Sequence, residues 1–220
     1  MRPIAALLTA ALLSTPALPA AAQSNRAGQF DYYVVALSWS PSWCRGTGDK
    51  RGARQCDTGG KVDFVLHGLW PQYEKGWPQN CRTNERDPSR RESQAMSDIM
   101  GSDGLAWYQW QKHGRCTGLS AANYLDLSRD AFNAVTLPEY FVDLDRDISI
   151  PPALIEQAFM EANPDMNADG ITITCQRDDL QEVRICLTKD LRPRDCAPDA
   201  RRDCSRDASR QDEKEPKGAF

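Results

Sequence analysis

The sequence is poor in histidine: His67 and His113 are the only two in 220 residues. No two of its eight cysteines have C-x-x-C spacing. Both shortages count against a structural zinc site. The separation of the histidines also counts against a metal-dependent hydrolase, because they form no H-x-x-x-H cluster. Positive charge is not in excess either, with 27 Lys+Arg against 31 Asp+Glu and a net charge of −4. That excludes a basic protein that coats nucleic acid by charge alone; any contact with RNA or DNA must be made at a local site. What is present is a globular balance, 40% hydrophobic and 26% charged, over a length that suits one domain. No internal repeat is visible.

Met1-Arg2 supplies a positive charge, Ile4 to Leu18 is apolar, and Ala20-Ala21-Ala22 fits an A-x-A cleavage site. Residues 1–22 read as a secretory signal peptide. Pro16 and Pro19 interrupt the apolar run, which falls short of the roughly 20 residues of a membrane-spanning helix. No later segment qualifies as a span. The expectation is an exported, periplasmic or extracellular protein with one domain over 23–204 and a mobile charged tail over 205–220. The cysteines, Cys44, Cys56, Cys81, Cys116, Cys175, Cys186, Cys196 and Cys204, all follow the leader. An even number behind a signal peptide reads as four disulfides. Counting alone leaves about 105 pairings open.

Phe30 to Trp39 is aromatic and β-branched and reads as a strand, ended by Pro41. Cys44 to Gly60 reads as a polar loop, Val62 to Leu66 as a second strand, and Pro71 to Arg91 as a long irregular loop. Gly104 to His113 is a helix candidate with Gly114 as its stop. Ser120 is an N-cap for a helix over Ala121 to Val135, and Pro151-Pro152 opens another through Ala162. Ile171 to Thr174 and Val183 to Leu187 read as short strands of a hairpin. The fold class is α+β, a central, mainly antiparallel sheet flanked by helices and stabilised by disulfides.

The two histidines stand 46 residues apart, each at an expected element end beside glycine and tryptophan. His67 lies in Phe64-Val65-Leu66-His67-Gly68-Leu69-Trp70-Pro71-Gln72, and His113 in Trp110-Gln111-Lys112-His113-Gly114-Arg115-Cys116. They are either two unrelated structural histidines or a pair sharing one site. Two imidazoles titrating around pH 6.5 can divide acid and base duty near neutrality. Lys112 would add a fixed positive charge for an anionic transition state.

The first string resembles the F-x-x-H-G-L-W-P segment of the ribonuclease T2 family. The second resembles the end of that family's H-E-W-x-K-H-G-T-C segment. The similarity runs from about Phe30 to Cys204. The second segment departs from the pattern at its start, where Tyr108-Gln109 stands in place of His-Glu. The resemblance implies a ribonuclease T2-like fold and metal-independent cleavage of single-stranded RNA by transesterification, with low base specificity. It needs no cofactor and leaves DNA intact for want of a 2′-OH. In this reading His113 is the general base, His67 the general acid, and Lys112, helped by Gln109, stabilises the phosphorane. Trp70 stacks on a base, and Tyr108 donates to a phosphate oxygen. A monomer is expected. The departure at residues 108 and 109 keeps a second reading open, a non-catalytic RNA-binding homologue on the same fold. Base preference is also open, because Gln72 occupies the family's acidic base-reading position.

The resemblance further implies the cysteine pairs Cys44–Cys56 and Cys81–Cys116, with Cys186–Cys196 nested inside Cys175–Cys204. Asp165-Met166-Asn167-Ala168-Asp169-Gly170 copies the start of an EF-hand loop, but Gln176 stands where the bidentate Glu is required. It reads as a polar turn feeding a strand. Trp39 and Trp43 are expected in the core or at its rim.

Overall fold

The computed structural model describes residues 25–57, 63–141, 148–176, 179–204 and 209–211. The expected signal peptide lies outside them, as does most of the expected tail. In chain order the strands are β1 (Tyr32–Trp39), β2 (Phe64–Gln72), β3 (Ile148–Ile150), β4 (Ile171–Gln176), β5 (Asp179–Leu187) and β6 (Ser209–Gln211). The helices are α1 (Ser40–Trp43), α2 (Arg90–Gln94), α3 (Ser97–Met100), α4 (Asp103–Lys112), α5 (Ala121–Asn133) and α6 (Pro152–Ala162).

β1 runs between β2 and β5, and β4 lies beyond β5; all of these pairings are antiparallel. β1 is buried on both faces. Tyr33, Val35, Leu37 and Trp39 enter the main core with Trp110, Phe141 and Phe159. Tyr32 and Val34 join a smaller cluster with Cys186, Cys196 and Ala197. Burial on both sides explains why the segment reads as an unbroken apolar run rather than as an alternation. α5 begins where expected: the Ser120 side chain accepts a hydrogen bond from the Asn123 N–H. α6 has proline in its first turn.

Four local expectations change. β2 does not stop at Leu66 but continues through the motif to Gln72, because β1 offers a pairing partner along its whole length. As an edge strand among the described residues, β2 tolerates Pro71. The stretch after Cys44 is helical rather than a plain loop: Pro41 lies in the first turn of α1, and tight turns over Cys44–Gly48, Asp49–Arg51 and Arg54–Cys56 follow. Gly114 is not a left-handed stop. A Cβ there would lie 2.6 Å from Trp110 and 2.7 Å from Tyr124, so close packing is what demands glycine. Within the stretch expected to be mobile, β6 pairs antiparallel with β3.

Four disulfides cross-link the chain, Cys44–Cys56, Cys81–Cys116, Cys175–Cys204 and Cys186–Cys196, the pairs that the resemblance implied. The loop after β2 is fastened to the end of α4 by three further links. The Asn80 N–H donates to the Lys112 carbonyl at 2.8 Å. Asp87 accepts from the Trp110 indole at 3.0 Å and from Arg115 at 2.8 Å. The Arg115 hydrogen bond comes first among the influences that hold the Asp87 carboxyl below its ordinary pKa.

Candidate active site

The site forms where the edge strand β2 meets the end of α4. In the register of β1 and β2, Ala36 opposes Gly68 and Leu37 opposes Leu66, so His67 is the extra residue of a β-bulge. A bulge re-aims its side chain out of the regular alternation. Three residues on, Trp70 packs against both imidazoles. Its ring is stacked on His113, with centroids 5.2 Å apart and planes at 26°, and meets His67 edge-on at 5.2 Å. Sequence reasoning expected the histidines at one site; the structure brings both against one indole.

Gln109 fixes that indole. Its Oε1 accepts the Trp70 Nε1–H at 2.8 Å, and the side chain is only 1% exposed. Gly68 makes room for this bond, since a Cβ there would lie 2.3 Å from Gln109 Oε1 and 2.7 Å from Trp70 Nε1. The glycine of the H-G-L-W string is therefore explained by the approach of α4. The amide expected to help Lys112 at the phosphate is instead engaged with tryptophan through its oxygen.

Lys112 ends α4 and Tyr108 lies one turn earlier on the same face. The Lys112 ammonium is 5.9 Å from the centre of the Tyr108 ring, and Tyr108 and Trp77 are exposed. Gln72 is buried, as is Trp39, while Trp43 is partly covered.

The two imidazoles have unlike surroundings. His113 caps α4, and its backbone N–H bonds to the Gln109 carbonyl at 2.9 Å. Burial first, then the Lys112 and His67 charges, push its pKa down from 6.5 to about 3. Its Nδ1 is buried with no hydrogen-bond partner among the described residues. His67 is more open, with its side chain 33% exposed, and its Nδ1 is hydrogen-bonded to Glu182 Oε1.

Glu182 and Arg184 are site residues that sequence reasoning missed. Both lie on β5, where Glu182 opposes Ser38 and Arg184 opposes Ala36. Directly opposed residues share a sheet face. The Arg184 guanidinium carbon lies 5.2 Å from the centre of the Trp70 ring. With His113 stacked on the indole and Arg184 over it, the expected base-stacking platform is largely covered. Glu182 Oε2 accepts from Arg184 Nε at 2.8 Å. Burial opposes ionisation of Glu182, but the His67 hydrogen bond and the His67 and Arg184 charges outweigh it and hold the carboxyl below its ordinary pKa. The available signal was the pair of charges at i and i+2 in the apolar string Leu180-Gln181-Glu182-Val183-Arg184-Ile185-Cys186.

Among the described residues no three or more His, Cys, Asp or Glu side chains gather closely enough to hold a metal ion, and no helix is long and apolar enough to cross a membrane. The EF-hand-like string is a turn entering β4, in which the Asn167 side chain accepts from the Gly170 N–H and Asp169 pairs with Arg201.

Comparison with known proteins bears on the family and the fold. A family model, described as the Ribonuclease T2 family, matches residues 30–196. A ribonuclease from Aeromonas hydrophila is 40% identical over 131 residues, 59% of this chain and 57% of that protein. Ribonuclease I of Escherichia coli is 26% identical over 230 residues, covering 84% of this chain and 86% of the relative. Two plant ribonucleases are matched over 45% and 47% of their length, so the chain spans about half of several relatives. Among solved structures, an RNase-related protein from Calystegia sepium has a TM-score of 0.67 at 19% identity, covering 85% of this chain and 99% of that one, and shares the fold.

Proposed function

The chain belongs to the ribonuclease T2 family, and we propose that it is an active, metal-independent endoribonuclease that cleaves single-stranded RNA by transesterification. The observation that carries the reading is the contrast between the two imidazoles. His113 is buried and held neutral, with its pKa near 3, as a base must be. His67 is more open and hydrogen-bonds the Glu182 carboxylate through Nδ1. Two like groups in such unlike surroundings are suited to different duties.

In the first step His113 takes the proton of the ribose 2′-OH, and the 2′-oxygen bonds to the adjacent phosphorus. The bond from phosphorus to the 5′-oxygen breaks, and His67 gives that oxygen its proton. The products are a 2′,3′-cyclic phosphate and a free 5′-OH. Lys112 offsets the charge gathering on the phosphoryl oxygens. In the second step water opens the cycle with the histidine roles reversed. The nucleophile belongs to RNA, so DNA is not a substrate. Gln109 serves by holding Trp70, and the half-exposed ring of Tyr108 beside Lys112 is the open aromatic surface for substrate.

Four disulfides suit an oxidising compartment, so the proposal includes export of a monomer with residues 1–22 as leader. Binding without cleavage remains the second reading, favoured by Gln109 standing where the family pattern has glutamate. Digestion of RNA and DNA with and without chelator tests the proposal. RNA cleavage that survives chelator supports it. Intact RNA favours the binding reading, and cleavage abolished by chelator contradicts the metal-independent chemistry.

A further inference from the structure

The family pattern places a carboxylate on the helix that carries the second histidine, and here that position is Gln109. A carboxylate nevertheless reaches the site, from the sheet and onto the other histidine. Glu182 is 2% exposed and divides its two oxygens: Oε1 takes His67 Nδ1, and Oε2 takes Arg184 Nε at 2.8 Å and Nη2 at 2.7 Å. The residues facing it across the sheet are small. Ser38 opposes Glu182, and Ala36 opposes Arg184 on one side and Gly68 on the other. That narrow trough lets a bulged histidine on β2 reach across β1 to a carboxylate on β5.

We propose that Glu182 is the positioning residue of the proposed reaction: it holds His67 by Nδ1 so that Nε2 carries the transferable proton to the substrate. The inference rests on the ribonuclease reading above. A ring that donates Nδ1–H to Glu182 has its other nitrogen on the far side, directed away from the carboxylate. When Nε2 protonates the leaving 5′-oxygen, the ring is left as the Nδ1–H tautomer, which is the one that Glu182 binds. In the second step Nε2 takes a proton from water and the same hydrogen bond receives the imidazolium. The titratable and charged groups placed with His67 are Glu182, bonded to its Nδ1, Arg184, bonded to that carboxylate, and His113, whose pKa the His67 charge helps to lower; Trp70 lies against the ring from β2. Glu182 is the one that accepts from Nδ1, and Arg184 keeps the carboxylate ionised and in place.

A merely structural Glu182–Arg184 pair would affect folding and leave the His67 tautomer alone. The test is therefore ¹⁵N NMR of the full chain with labelled histidine, at a pH where the ring is neutral, together with kcat and KM on a dinucleoside monophosphate. The expected parent tautomer at His67 is Nδ1–H. In Glu182→Ala it turns largely to Nε2–H, the form a free histidine side chain prefers, and kcat falls about a hundredfold with KM nearly unchanged. Glu182→Gln keeps an acceptor oxygen, so it retains the Nδ1–H tautomer and part of the lost kcat. If the alanine chain does not fold, Glu182→Leu fills the volume without an acceptor and carries the same test. An unchanged tautomer in the Ala or Leu variant, or equal losses in the Ala and Gln variants, overturns the proposal. A parent that leaves RNA intact overturns the ribonuclease reading instead, because the tautomer is read without substrate.

Discussion

The indole N–H of Trp70 is bonded to Gln109 Oε1 at 2.8 Å, and this joins strand β2 to helix α4 at the point where the two histidines meet. The tryptophan is fixed in its plane with His113 stacked on it and His67 at its edge. The stack depends on a residue that touches neither imidazole through its side-chain hydrogen bond. Gln109→Ala would leave a buried indole N–H without a partner. It should cost about 1–3 kcal/mol, read as a lower denaturant midpoint with unchanged slope. A midpoint equal to the parent's would show that the bond contributes nothing.

The paired imidazoles lead to a second expectation. His67→Ala and His113→Ala should each lower RNA cleavage by about 10²–10⁴-fold, since the chain has no spare imidazole to take over. Circular dichroism should report a retained fold in both. Near-parental cleavage by either variant would remove that residue from the reaction.

Acidity provides a third. The acidic limb of kcat/KM reports protonation of the free base, and burial with the Lys112 and His67 charges places His113 near 3. The profile should therefore remain flat well into the acid range. In Gln109→Glu a carboxylate four residues before His113 would favour the imidazolium and move that limb to higher pH. A limb that stays put or moves down would show that residue 109 does not couple to His113.

The same depressed pKa bears on stability. In the unfolded chain a histidine titrates around 6.5, so as pH falls toward 3 the unfolded state takes up the His113 proton first. His113 therefore contributes a loss of stability as pH falls through that window. Glu156, raised to about 7 chiefly by burial and then by Asp203 and Asp169, acts in the opposite sense: its folded form binds a proton earlier, and that contribution is lost as pH rises. The His113 part is isolated by comparison with His113→Asn, which should lose less stability than the parent between pH 6.5 and pH 4.5. Parallel curves for the two proteins would contradict the depressed value.

The Cys81–Cys116 bridge closes a loop of 35 residues between the strand bearing His67 and the turn after His113. Replacing both cysteines with alanine should cost about 2–5 kcal/mol. Activity should fall with it, because the loop would then be fastened to the helix end by hydrogen bonds in place of a covalent link, those from Asn80 to Lys112 and from Trp110 and Arg115 to Asp87. Parental thermal stability in the double variant would contradict this.

How much of this was legible in the sequence depended on the range of the interaction. His67, Trp70, Lys112 and His113 lie in two short strings whose residue order carries the family pattern, so these candidates could be named before any fold was known. Helix limits followed from local signals such as Ser120 and Pro152. Glu182 was not named, because its partner is 115 residues away and the charge pair it forms with Arg184 in its own string does not say which residue it meets. The bulge at His67 depends on the register between β1 and β2, which no local pattern states. Gln109 was read as a hydrogen-bond donor helping Lys112 at the phosphate; its bond to Trp70 appears only when α4 is laid against Gly68.

The most direct test of the account is analysis of the products formed from a single dinucleoside monophosphate in the presence of chelator. The account predicts a 2′,3′-cyclic phosphate that appears first and is opened later, with a free 5′-OH on the departing nucleoside. A product carrying a 5′-phosphate, or no cleavage at all, would contradict it.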